Sequence, residues 1–328
     1  MRRLYIIGFI LAVLMAGRPL SAGETYRFRM TPIFGRTFGE TQYELKLTGL
    51  GEDGLSGIKS RLEFPLDYIS GGARLTLDYH DDLGCRWIFA AGITVGLNNP
   101  YGIMKDHDWA IAAGYGDYKW SYTESEAEMN LVDIHLSAAR RLYSWNRTAT
   151  YFTAGIAYRR VVQDIIGYTG WQIDLDDPAL PRRTVQGDRP ALYYRVEYLS
   201  PLAGLLYRYE TTSGLTFDLS AAYLLVLAED YDDHLLRFKT SVGDGIGHGF
   251  CSMVAVRYLP LVRSSGPQPF LELRGDLTAL RVNGNQTQRW YGDDPAGEGD
   301  ETGQSIGGIP HEFVSTQLAL GFSLGIAF

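Results

Sequence analysis

The chain alternates with a period of two over most of its length. From Leu215 onward, Phe217, Leu219, Ala221, Tyr223, Leu225 and Leu227 share one side, while Thr216, Asp218 and Ser220 open the other. One side suits lipid and the other an aqueous interior. The last segment repeats the pattern: Leu318, Leu320, Phe322, Leu324, Ile326 and Phe328 alternate with Gln317, Ala319, Gly321, Ser323, Gly325 and Ala327. Trp87, Phe89, Ala91, Ile93, Val95 and Leu97 share one parity, and Val132, Ile134, Leu136 and Ala138 oppose Leu131, Asp133, His135 and Ser137. Short turn-forming stretches at 80–84, 143–147, 211–214 and 263–267 alternate with longer polar stretches at 51–57, 97–125, 174–190, 231–235 and 285–312. Five long loops and four short turns predict an all-β fold, a ten-stranded antiparallel transmembrane β-barrel with both ends on the short-turn side. A soluble β-sandwich is the competing architecture. The aromatic terminal strand and the asymmetry of the loops favour the barrel.

Composition supports that reading and adds an address. Arg2 and Arg3, an apolar run from Leu4 to Ala16 and Leu20-Ser21-Ala22 before Gly23 predict a secretory signal peptide at 1–22, leaving one barrel domain at 23–328. The 22 Tyr, 14 Phe and 38 Gly favour strands and turns over helices. A net charge of -8 without a basic block argues against nucleic acid as a partner. Cys85 and Cys251 lie far apart without metal-ligand spacing, so two inert thiols and one disulfide both remain open.

The period also delivers candidate chemistry. Continued past Leu227, it turns Asp230, Asp232 and His234 to the interior, because they share the even numbering of Thr216 and Asp218. Asp232 lies far enough along the strand to stand roughly 40 Å up, above an apolar band of about 25 Å. Asp106 and Asp108, in the second long polar stretch, share a face if that stretch is extended, and two carboxylates so placed can hold a proton or a water between them. Asp232 beside His234 can fix the imidazole tautomer and raise its basicity, as activation of a water requires. His107 has the opposite parity to its flanking aspartates and is expected to stay outside the site. Asp106, Asp108, Asp233 and His234 could in principle ligate a divalent ion, but Asp233 points away from Asp232, and no metal is expected.

These residues, in this order and on these strands, resemble the omptin family of outer-membrane aspartyl-type proteases. The resemblance extends over nearly the whole chain beyond residue 22, including Phe34-Gly35-Arg36-Thr37-Phe38-Gly39-Glu40-Thr41, Ser60-Arg61-Leu62-Glu63-Phe64, Tyr207-Arg208-Tyr209-Glu210 and the tail through Phe328. It implies a ten-stranded, monomeric barrel in the bacterial outer membrane that hydrolyses peptide bonds of peptide or protein substrates at basic, dibasic sites, with its active site extracellular. It implies no cofactor other than a requirement for lipopolysaccharide. By motif, Asp106, Asp108, Asp232 and His234 match the catalytic residues, with His234, oriented by Asp232, activating water opposite the aspartate pair. Asp230 matches an acid that receives the basic side chain before the cut. The second such acid falls on Tyr43, with Glu44 adjacent as the substitute candidate. Arg160 matches a lipopolysaccharide contact, whereas Ile156 and Tyr158 stand where the family has an aromatic residue and an acid. A non-catalytic barrel acting as an adhesin or invasin is the alternative; a passive pore suits so narrow a barrel poorly.

Overall fold

The computed structural model describes residues 25–48, 55–82, 84–99, 102–112, 116–174, 181–260, 266–295 and 299–328. The expected signal peptide, 1–22, lies outside them. Twelve strand segments follow in order: β1 Thr25–Thr48, β2 Leu55–Pro65, β3 Tyr68–Asp81, β4 Gly84–Gly96, β5 Gly102–Ala112, β6 Gly116–Trp145, β7 Thr148–Gln172, β8 Arg183–Glu210, β9 Leu215–His234, β10 Lys239–Tyr258, β11 Gln268–Trp290 and β12 Ser305–Ala327. A 3-10 turn, Leu235–Arg237, joins β9 to β10.

The twelve segments make ten walls. The first half of β1 pairs with β3 and its second half with β2, so β2 and β3 form one strand interrupted near Leu66. In the same way β4 and β5 both lie against β6. β12 returns to β1, with Phe38 opposite Leu318, and closes an antiparallel ring. Closure leaves no unpaired sheet edge among the described residues, which a spanning sheet requires because the bilayer core offers backbone groups no water.

Side chains alternate as the sequence predicts. On β9, Phe217, Leu219, Tyr223, Leu225 and Leu227 are exposed on the outer wall, while Asp218, Ala222, Leu224, Val226, Ala228, Asp230 and Asp232 are buried inside. The outer apolar band stops abruptly toward the long-hairpin end. Leu227 gives way to Glu229, Phe38 to Glu40, Leu199 to Glu197 and Ala279 to Arg281.

The strands do not stop there. The stretches 97–125 and 285–312, expected as loops, contain long strand segments: β5 is laddered to both β2 and β6, and β11 and β12 reach Trp290 and Ser305. Above the band the outer face meets water instead of lipid, so hydropathy no longer distinguishes the two faces although the hydrogen-bonded ladder continues.

The lumen is filled in two tiers. Toward the short-turn end it holds ion pairs: Arg29 with Asp78 at 2.9 Å, Arg208 with Asp218 at 2.7 Å, and Arg257 bridging Asp218 and Glu272 at 3.3 and 2.9 Å. Charges removed from water survive there because each meets its opposite. A cavity of about 390 Å³ separates this tier from an apolar one. In the upper tier Tyr194 of β8 stacks on Phe64 of β2, ring centres 4.4 Å apart, and meets Tyr43 of β1 across the lumen. With Val226, Val282 and Phe313 these rings form a packed floor beneath the mouth, which is the opposite of what a passive pore needs. Cys85 and Cys251 are free thiols, which selects the first of the two readings left open by the sequence.

Candidate active site at the barrel mouth

Four acids and two imidazoles enter the lumen above that floor. Asp106 and Asp108 project inward from β5, and His107 between them faces the outer wall, stacked on Trp109 and 2.8 Å from the Lys119 ammonium. The pleat alone separates them. Asp108 sits directly between Ser60 of β2 and Ser121 of β6, its cross-strand partners, and both hydroxyls donate to its carboxylate. Asp106 lies between Leu62 and Thr123, and its Oδ1 is buried without a hydrogen-bond partner.

Asp230, Asp232 and His234 descend from the opposite wall, with β6, β7 and β8 between β5 and β9 on one side of the ring. Asp232 is flanked by Tyr194 and Ser241, and His234 ends the strand opposite Lys239. The two walls interact. Burial raises the Asp106 carboxyl well above its usual range, and the charges of Asp108 and of Asp232 across the lumen add to the effect. Burial likewise raises Asp108. Asp232 is pushed up to about 7 by burial, against the pull of the Lys239 ammonium. Asp230 is also pushed up to about 7, by burial and then by Asp232. His234 is lowered to about 3, by burial and then by the cations Lys239 and Arg237, so it is neutral at physiological pH.

The expected Asp232–His234 couple shares a wall without a closed hydrogen bond. Asp232 Oδ1 and His234 Nδ1 are both buried, and neither has a partner. What fixes His234 is the backbone around it: the 3-10 turn begins immediately after it, Phe238 takes a left-handed conformation at φ 48°, and Arg237 anchors the turn to Asp294 at 2.8 Å.

Glu44 requires a correction. It was expected beside Asp230, but the parity of β1 turns Tyr43 inward and Glu44 outward, where Arg61 binds the Glu44 carboxylate at 2.8 Å. A strand cannot present adjacent residues to one face. Tyr43 therefore takes the interior place, and its hydroxyl donates to Gln286 Oε1.

His311 of β12 is an interior residue that sequence reasoning missed. Its Nε2 lies 3.7 Å from Asp230 Oδ1, and both side chains are completely shielded from solvent. The signal was available: carried back from Gln317, the parity of the terminal strand passes through Ser315 and Phe313 to His311, all buried. Lys239 was missed as well, because the polar segment after His234 looks like loop.

Arg160 stands on the outer wall just above the apolar band. It shares Glu197 with Arg195, each 3.7 Å from the carboxylate, and Tyr158 donates to the same acid at 2.8 Å. A cation pair and a hydroxyl at this level suit an anionic lipid headgroup.

No family model matches the chain, and no curated protein sequence matches it. Among solved structures it is similar to the outer membrane protease OmpT from Escherichia coli, with a TM-score of 0.71 and 14% identity over 92% of this chain and 97% of that one. The translocator domain of autotransporter NalP from Neisseria meningitidis matches with a TM-score of 0.36 and 13% identity over 97% of this chain and 95% of that one. At such identity the OmpT likeness establishes the fold, an outer-membrane β-barrel.

Proposed function

We propose that this chain is an outer-membrane endopeptidase that hydrolyses peptide bonds beside basic residues at the extracellular mouth of its barrel. One observation carries the reading: carboxylates from β5 and β9, two nearly opposite walls, are buried within electrostatic reach of each other above a packed floor. Buried like charges destabilise a fold unless they serve a purpose, and titratable groups shifted this far cluster at catalytic sites. The OmpT-like fold supports the choice of reaction.

The chemistry follows from the protonation states. Neutral His234 takes a proton from water as the oxygen attacks the carbonyl carbon, and ionised Asp232 stabilises the imidazolium that forms. Asp106, whose protonated form is favoured by burial and its neighbours, donates that proton as a hydrogen bond to the tetrahedral oxyanion, with Asp108 fixed by Ser60 and Ser121 beside it. The imidazolium then returns its proton to the departing amine, and the C–N bond breaks. Asp230 receives the cationic side chain before the cut. Arg160 and Arg195 bind lipopolysaccharide phosphate on the outer wall, and no metal is needed.

The test is cleavage of a dibasic fluorogenic peptide by refolded protein, with and without lipopolysaccharide. Asp106→Ala and His234→Ala should each lower the rate at least ~100-fold, the range expected for loss of a general base or an oxyanion donor, while the heat-modifiable band of the folded barrel persists. Wild-type protein that folds and binds lipopolysaccharide but cuts nothing would favour the adhesin reading.

A further inference from the structure

The pocket below the proposed water site contains more unmet hydrogen-bonding capacity than any other part of the described interior. Both carboxylate oxygens of Asp230, both ring nitrogens of His311, the hydroxyls of Tyr194, Tyr198 and Ser241, and Gln286 Nε2 are buried without partners. Leaving such groups unmet is costly, so each calls for a partner. They converge, since the charge of Asp230 acts on Tyr43, Tyr194 and Tyr198 alike. Gly243 lets them pack closely: a Cβ there would lie 2.4 Å from Asp230 Oδ1 and 2.5 Å from His311 Cε1, so these two groups fill the space over the glycine. This is a buried cluster whose unmet acceptors call for hydrogen-bond donors.

The identity of the donor follows from the acceptors. Asp230 faces this cluster without a second acid from β1, because Glu44 faces outward and Tyr43 fills the interior position. A guanidinium carries five N–H donors in a rigid plane, and a single carboxylate edge satisfies two. That plane is larger than an ammonium, and Asp230 and His311 are packed together without solvent access. A primary ammonium is a compact charge with three donors. Asp230, one imidazole nitrogen and the Tyr194 hydroxyl can satisfy all three.

We propose that His311 is a specificity-determining residue: wedged between Tyr43 and Phe313 and 3.7 Å from Asp230, it accepts a hydrogen bond from a primary ammonium and so selects a lysine-type side chain over an arginine-type one. The inference rests on the protease reading only in equating this pocket with the residue before the cut. Burial lowers His311 to about 4, so its acceptor lone pair is available at neutral pH.

The test separates binding from cleavage. Refolded protein with 13C-labelled histidine is titrated with n-butylammonium and with n-propylguanidinium, read at His311 in the wild type and at His234 in variants. The wild type should bind the ammonium at least tenfold more tightly. His311→Leu should abolish that preference, and His311→Gln, which keeps an acceptor, should retain it within about threefold. Cleavage of matched lysyl and arginyl peptides is measured in parallel. A guanidinium preference, or an unchanged ratio in His311→Leu, overturns the inference. Ammonium selectivity without cleavage of either peptide upholds it while sinking the protease reading.

Discussion

Gly243 on β10 is the direct cross-strand partner of Asp230 on β9, and the missing side chain is what lets the carboxylate and His311 lie over it. Gly243→Ala should therefore displace both groups while leaving the barrel closed. Cleavage of a lysyl peptide is expected to fall roughly 100-fold, the scale at which a misplacement of about 1 Å is felt, with the heat-modifiable band unchanged. An alanine variant of full activity would show that the pocket is not where the substrate is held.

Activity should rise as pH increases through about 7, because Asp232 must ionise there whereas His234 is already neutral above about 3. Lys239 holds Asp232 down, so Lys239→Met should move that limb of kcat/KM to higher pH. A pH–rate profile of the two proteins decides the point; a limb that shifts to lower pH contradicts the assignment.

The pH dependence of stability between about 4 and 6.5 should be a balance of opposing groups at the barrel mouth. Asp230 and Asp232 have folded values near 7 against an ordinary 3.8, so they favour the folded state in acid and lose that contribution as pH rises. His234 and His311, lowered to about 3 and about 4 from 6.5, act in the opposite sense. Removing two of the acids in an Asp230→Asn, Asp232→Asn double variant shifts the balance toward the histidines, although Asp106 and Asp108 still oppose them, so the change of its unfolding midpoint per pH unit across this window should be more positive than the wild type's. The shift of the heat-modifiable band with temperature, measured at several pH values, provides the readout.

The lower lumen should be far less tolerant than the outer wall. Asp218→Ala leaves Arg208 and Arg257 buried without their shared carboxylate and should cost about 3–5 kcal/mol. Asp67→Ala removes an ion pair to Arg36 in which both side chains are half exposed, and should leave the unfolding midpoint nearly unchanged. Urea titration of the two variants in detergent compares them directly.

Much of the molecule was legible from alternation. A period of two is dictated by the pleat, so the parity that put Leu227 on the lipid side also put Asp230, Asp232 and His234 inside, and it separated His107 from Asp106 and Asp108. Parity also held the answer for Glu44, since a strand that turns Tyr43 inward must turn its neighbour out. Hydropathy failed where its cause failed: beyond the apolar band there is no lipid to impose contrast, and β5 and the upper parts of β11 and β12 read as loop. Only closure of the ring decided which distant residues meet. His311 and Asp230 are 81 positions apart, and they touch because β12 and β9 curve around one lumen. No local pattern encodes that curvature, which depends on the stagger of all ten strands together.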